Sequence, residues 1–108
     1  MTKKQNITTK DLAKLQKHAK DAANLLKKLG NEHRLLVLCT LMNNELSVSE
    51  LNDMIPLSQS SLSQHLASLR GAGLVQTRRQ SQTIYYSLCG DDAIKIISVL
   101  QSIYCPNL

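Results

Sequence analysis

The chain has 108 residues, a formal net charge of +5 and 43% hydrophobic residues, with three tyrosines and neither Phe nor Trp. That length supports one domain burying roughly 65% of its unfolded surface, a modest core with little room for an enzyme pocket. A basic balance of this size suits a polyanionic partner. The longest apolar run, Leu35–Cys39, is far too short to cross a bilayer, and no apolar stretch follows the basic opening Met1–Asn6. The expectation is therefore a cytoplasmic protein without a membrane partner. Three cysteines at positions 39, 89 and 105 are odd in number and widely spaced, which is not a secreted disulfide framework. In a reducing compartment they are core filler, metal ligands or redox-reactive thiols.

Residues 1–8 are polar and read as a disordered tail, with one domain over 9–105. A helix is expected from about Lys10 to Leu29. Its apolar positions Leu12, Leu15, Ala19, Ala22, Leu26 and Leu29 alternate three and four apart, a narrow seam that packs against another helix. The rest of its surface is rich in lysine, and Gly30 ends it. Asn31 can cap a second helix over about 32–43, apolar on most faces and so expected to be the central buried one. Ser47-Val48-Ser49-Glu50 has the form of a capping box and opens a short helix to about Met54.

After the turn at Pro56, Ser58 can cap a helix that ends at Gly71 or Gly73. Leu62, Leu66 and Leu69 on it follow the i, i+4, i+7 rule. Leu74–Arg79 and Thr83–Leu88 are β-rich, and Gln80-Ser81-Gln82 joins them as a hairpin without an Asn-Gly signature. A last helix begins with Asp91 and Asp92 and runs to about Tyr104. Its inner stripe is Ala93, Ile96, Ile97, Leu100 and Tyr104; a second stripe, Ile94, Val99 and Ile103, needs a partner, for which a second copy is the simplest choice.

The expected fold class is mostly α with a small β-hairpin: four helices, a two-stranded wing and a fifth helix, a winged helix-turn-helix. Such a motif lays its second helix in the major groove. At 100° per residue, with the three leucines inward, Ser60, Gln64 and Ala67 point outward, flanked by Ser61 and Ser63. Gln59 lies in the first turn, where free amides approach phosphate. Gln pairs bidentately with adenine and Ser adapts to any base edge. On the wing, Arg78, Arg79, Gln80 and Gln82 can meet phosphate or a minor groove, and Arg70 is a further phosphate candidate. Taken singly, each serine is no more than a polar helix start; the arrangement with a basic hairpin behind it points to double-stranded DNA. His65 lies beside the core stripe, where hydrogen bonding outweighs catalysis, and His18 and His33 read as surface residues. No Ser/His/Asp set, phosphate loop or pair of placed acids argues for an enzyme, and no cofactor is expected.

The blocks Asn31–Cys39, Leu57–Leu66 and Leu69–Val75 resemble the ArsR/SmtB family of winged-helix repressors, and the likeness spans about residues 10–105. It implies a homodimer formed through the first and last helices on an imperfect palindrome, contacting DNA through Gln59, Ser60, Ser63, Gln64 and the wing. Many members sense metals. One metal site of the family uses the cysteines of an ELCVCDL motif, but Glu45–Leu51 here reads ELSVSEL, with hydroxyls that are poor soft-metal ligands. Another uses His on the last helix, and residues 91–104 contain none. Metal sensing is thus the less favoured alternative.

Cys39 and Cys105 look like the dithiol of the HlyU/BigR/SqrR subgroup, in which that pair answers oxidants and reactive sulfur. The resemblance implies a repressor released when the two are joined by a disulfide or polysulfide bridge. Read from the residues alone, Cys39 is equally a small core hydrophobe, and Cys105 follows a helix C-terminus, which disfavours a thiolate. Cys89 is expected to be a bystander. An unswitched activator or antirepressor is the other reading.

Overall fold

A computed structural model describes residues 8–107, so most of the tail expected over 1–8 lies outside the described residues. The elements run α1 (Thr9–Leu29), α2 (Glu32–Thr40), β1 (Leu46–Ser47), α3 (Val48–Met54), α4 (Gln59–Gly71), β2 (Val75–Gln80), β3 (Thr83–Leu88) and α5 (Asp92–Tyr104). The three strands form one antiparallel sheet in the order β1-β3-β2. This is the winged helix-turn-helix expected from the sequence, with one strand more.

Local chemistry sets the boundaries. Thr8 is the N-cap of α1 and closes a capping box with Asp11, so the helix starts at Thr9, one residue ahead of the expected Lys10. Gly30 ends α1 without a left-handed turn; a Cβ there would sit 3.1 Å from the Leu26 carbonyl oxygen. Asn31 caps α2 by accepting from the His33 and Arg34 amides. That helix stops at Thr40 rather than 43, and Asn43 takes a left-handed φ of 61° in the turn that follows. Ser47 and Glu50 form the capping box of α3. The end of α4 is a Schellman motif: the Gly73 amide donates to Arg70, the Leu74 amide to Leu69, and Gly73 sits at φ 75°. Leu69 and Leu74, both buried, make the hydrophobic contact that accompanies it.

The core collects Val37, Leu38 and Leu41 of the α2 region, Leu51 and Ile55, then Leu62, Leu66 and Leu69 of α4, with Ala93 and Ile97 from α5. Thus α2 is central, although Leu36 faces outward. By contrast α1 buries only Leu29, and Leu12, Leu15 and Leu26 are each at least half exposed. On α5, Ile94, Val99 and Ile103 are exposed. Tyr104, assigned to the inner stripe from the sequence, does lie on the side facing α2, where it lines a cleft with Leu35 and Cys39, but at the end of the helix it is 77% exposed.

Candidate nucleic-acid interface

The reading unit is built on α3 and α4. Ser58 caps α4 by accepting from the Ser61 amide at 3.2 Å, and its hydroxyl lies 3.4 Å from that of Ser60. The amides of Gln59 and Ser60 have no carbonyl a turn behind them and stay open to an anion. With Leu62, Leu66 and Leu69 fully buried, Gln59, Ser60, Ser63, Gln64, Ala67 and Arg70 are exposed and Ser61 is half-buried. A shallow hollow runs past Ser63, Ala67, Arg70 and Gly71 to Tyr86 of β3, so the recognition face continues into the sheet. The small Ala67 and Gly71 keep that face low.

Two further contacts seat α4. Arg34 of α2 donates from Nη1 to Ser68 Oγ at 3.3 Å and from Nη2 to the Lys27 carbonyl at 3.4 Å, while its buried Nε has no partner among the described residues. The His65 ring lies 5.8 Å from that of His33, which is half-buried rather than a free surface residue. Burial first, then Arg34 and His33, push the His65 pKa down, so the neutral ring is favoured.

The wing is a two-residue hairpin. Gln80 pairs with Thr83, and Ser81 takes the positive φ of 57° that such turns require. Gln82 lies exposed at its tip. Arg78 and Arg79 are neighbours on β2, so they project from opposite faces of the ribbon. Arg79 is exposed. Arg78 is engaged: its Nη2 lies 2.8 Å from Glu45 Oε1, its Nε donates to both carboxylate oxygens, and its Nη1 donates to Gln80 Oε1 at 3.0 Å. The sequence reading missed Glu45 because the pair spans 33 residues and depends on β1, a two-residue strand with no periodicity of its own.

Cys39 and Cys105 open onto the same cleft. Leu35, Cys39, Ile97, Leu100, Gln101, Tyr104 and Cys105 line one apolar cleft of about 200 Å³ between α2 and α5. Both thiols are free. Cys39 is half-buried, and that burial, with Cys105 nearby, pushes its thiol pKa up. Cys105 is the exposed C-cap of α5, its amide donating to the Gln101 carbonyl at 2.7 Å. Cys89 lies elsewhere, beside a hollow lined by Asp21, Asp91 and Asp92. Among the described residues no group of three or more His, Cys, Asp or Glu is placed to hold a metal, and no helix is long and apolar enough to cross a membrane.

Residues 31–77 match the family described as bacterial regulatory protein, arsR family. The chain is 47% identical over 95 residues to the transcriptional activator HlyU of Vibrio cholerae, covering 88% of each chain. It is 42% identical over 93 residues to the biofilm growth-associated repressor of Xylella fastidiosa, covering 86% of this chain and 82% of that one. Among solved structures, reduced HlyU from Vibrio cholerae superposes with a TM-score of 0.81 at 48% identity, covering 85% of this chain and 97% of that one.

Proposed function

The chain belongs to the ArsR family of bacterial regulatory proteins, DNA-binding regulators of transcription, and from that premise we propose that it is a homodimeric repressor, released from an imperfectly palindromic operator when Cys39 and Cys105 are joined. One domain over 9–105 carries both tasks, and it acts in the cytoplasm, where the chromosome is. The exposed leucines of α1 and the outer stripe of α5 are the surfaces a second copy covers. In the dimer two α4 helices enter successive major grooves, about 34–36 Å apart. Gln59, Ser60, Ser61, Ser63 and Gln64 meet bases and nearby phosphates, Arg70 meets phosphate, and Arg79 and Gln82 extend the contact from the wing.

The observation that carries the switch is the shared cleft: the two thiols that the family likeness singles out open onto one apolar space between two packed helices. A persulfide, RSSH, supplies the oxidising equivalent. One cysteine thiolate attacks the outer sulfur and expels RS⁻, leaving a cysteine persulfide. The second thiolate attacks the cysteine sulfur of that persulfide and expels HS⁻. Two thiols and one RSSH thus give one disulfide, one RSH and one H₂S, and the thiol protons end on the two leaving groups. The new bond ties α2, which seats α4 through Arg34 and Ser68, to α5 of the dimer face. A bistable interface of this kind converts a local link into altered spacing of the recognition helices. One similar structure is that of reduced HlyU, so a redox state is specified for that protein.

The test compares binding of a palindromic duplex by reduced and persulfide-treated protein, with mass spectrometry of the bridge. Reduced protein binds and treated protein releases, and Cys39→Ser and Cys105→Ser each abolish the response. A full response in either variant contradicts the switch. The 47% identical activator favours a second reading, an unswitched activator or antirepressor, and DNA binding indifferent to persulfide is its signature.

A further inference from the structure

The Arg78 side chain is half exposed, yet each of its guanidinium nitrogens has a partner. It crosses the central strand β3 with its Cζ 5.0 Å from the Tyr85 ring centroid, meets Glu45 just ahead of β1 with two of its nitrogens, and gives the third to Gln80. The sheet register explains the reach: Ser47, Tyr85 and Arg78 stand opposite one another across the three strands, with Glu45 two residues before Ser47 on one side and Gln80 two residues beyond Arg78 on the other. Arg78 holds Glu45's carboxyl below its usual range, first through the hydrogen bonds. The side chains are 50% and 38% exposed, and a surface ion pair of that kind adds little to stability. What the bidentate geometry does fix is direction. An arginine already committed to a carboxylate makes a poor phosphate ligand, and that carboxylate adds a negative charge at the root of the wing.

We infer that Glu45 withholds Arg78 from the DNA backbone and so limits the sequence-independent attraction of the wing, leaving Arg79 and Gln82 as its contacts. This rests on the DNA-binding reading above. Phosphate contacts raise affinity for every sequence alike, whereas discrimination comes from base edges. Each arginine withheld therefore lowers affinity for operator and random duplex by the same factor and leaves their ratio as it was.

The experiment uses the full chain and two duplexes of equal length, one palindromic operator and one random, titrated from 50 to 200 mM salt. Glu45→Gln frees Arg78 in both protomers of the dimer, and two new phosphate contacts steepen the salt slope by about 1.8. Over that salt range the variant's affinity for either duplex falls about tenfold more than the wild type's, while its operator-to-random ratio stays at the wild-type value. Arg78→Gln alone leaves the slope at the wild-type value, and Glu45→Gln with Arg78→Gln returns to it. An unchanged or shallower slope in Glu45→Gln overturns the inference, as does a shallower slope in Arg78→Gln alone or a steep slope that persists in the double variant. Wild-type protein that binds neither duplex defeats the DNA-binding reading itself, before Glu45 is at issue.

Discussion

Helices α4 and α1 carry similar leucine patterns and meet opposite fates. In α4, Leu62, Leu66 and Leu69 are wholly buried and the polar residues face out. In α1, Leu12, Leu15 and Leu26 repeat at helical spacing, yet 50%, 50% and 59% of each remains exposed. Apolar stripes on that scale, continued by the outer face of α5, mark an interaction surface. The half of the molecule with the recognition helix is finished by its own chain; the half that in the proposed dimer sets the distance between two readers is left bare by it.

The largest effect comes from breaking the unfinished half. Leu15→Glu with Val99→Glu puts charge on both exposed stripes; we expect monomers by sedimentation and an operator affinity lower by about 10²–10⁴-fold, the avidity of two linked half-sites. The monomer keeps its helical circular dichroism, because neither residue is in the core. Leu66→Ala strikes the finished half instead and costs about 2–5 kcal/mol in urea unfolding, from a side chain with no exposure. The two changes thus separate assembly from folding. Gln64→Ala leaves the melting temperature alone and lowers discrimination at one base position by about 1–3 kcal/mol, read by competition between operator variants.

The smallest effect is a pH dependence at the seat of α4. His65 is lowered in pKa by burial, Arg34 and His33, all at the α2–α4 contact. The folded state then holds that proton less readily than the unfolded chain, so its contribution is present above the unfolded value of about 6.5 and lost as pH falls through the folded value. Melting temperature should decline more steeply below pH 6.5 in wild type than in His65→Gln; equal slopes would show that this contact carries no pH sensitivity.

The same contrast explains what the sequence could disclose. The buried stripe of α4, its Ser58 cap and the box at Ser47–Glu50 are local patterns, and each appears where the spacing put it. The uncovered seam of α1 was legible too, since a three-and-four repeat needs a partner helix whichever chain supplies it. Strand β1 was not. Its two residues gain their identity from Tyr85 and Tyr86, nearly forty positions away. For the same reason Arg78 read as a free wing cation until the sheet brought Glu45 to it. Tyr104 fits the inner stripe by spacing and does face α2, but it lines an open cleft there and keeps 77% exposure, which spacing alone does not reveal.

The central claim is that two copies, joined through the faces left bare on α1 and α5, address one duplex together. Sedimentation of the reduced protein with a palindromic duplex, followed at increasing protein-to-DNA ratio, tests it most directly. A complex saturating at two chains per duplex, formed without a populated one-chain species, is the expected result. Saturation at a single chain, or a protein that sediments as a monomer and leaves the duplex free, would contradict it.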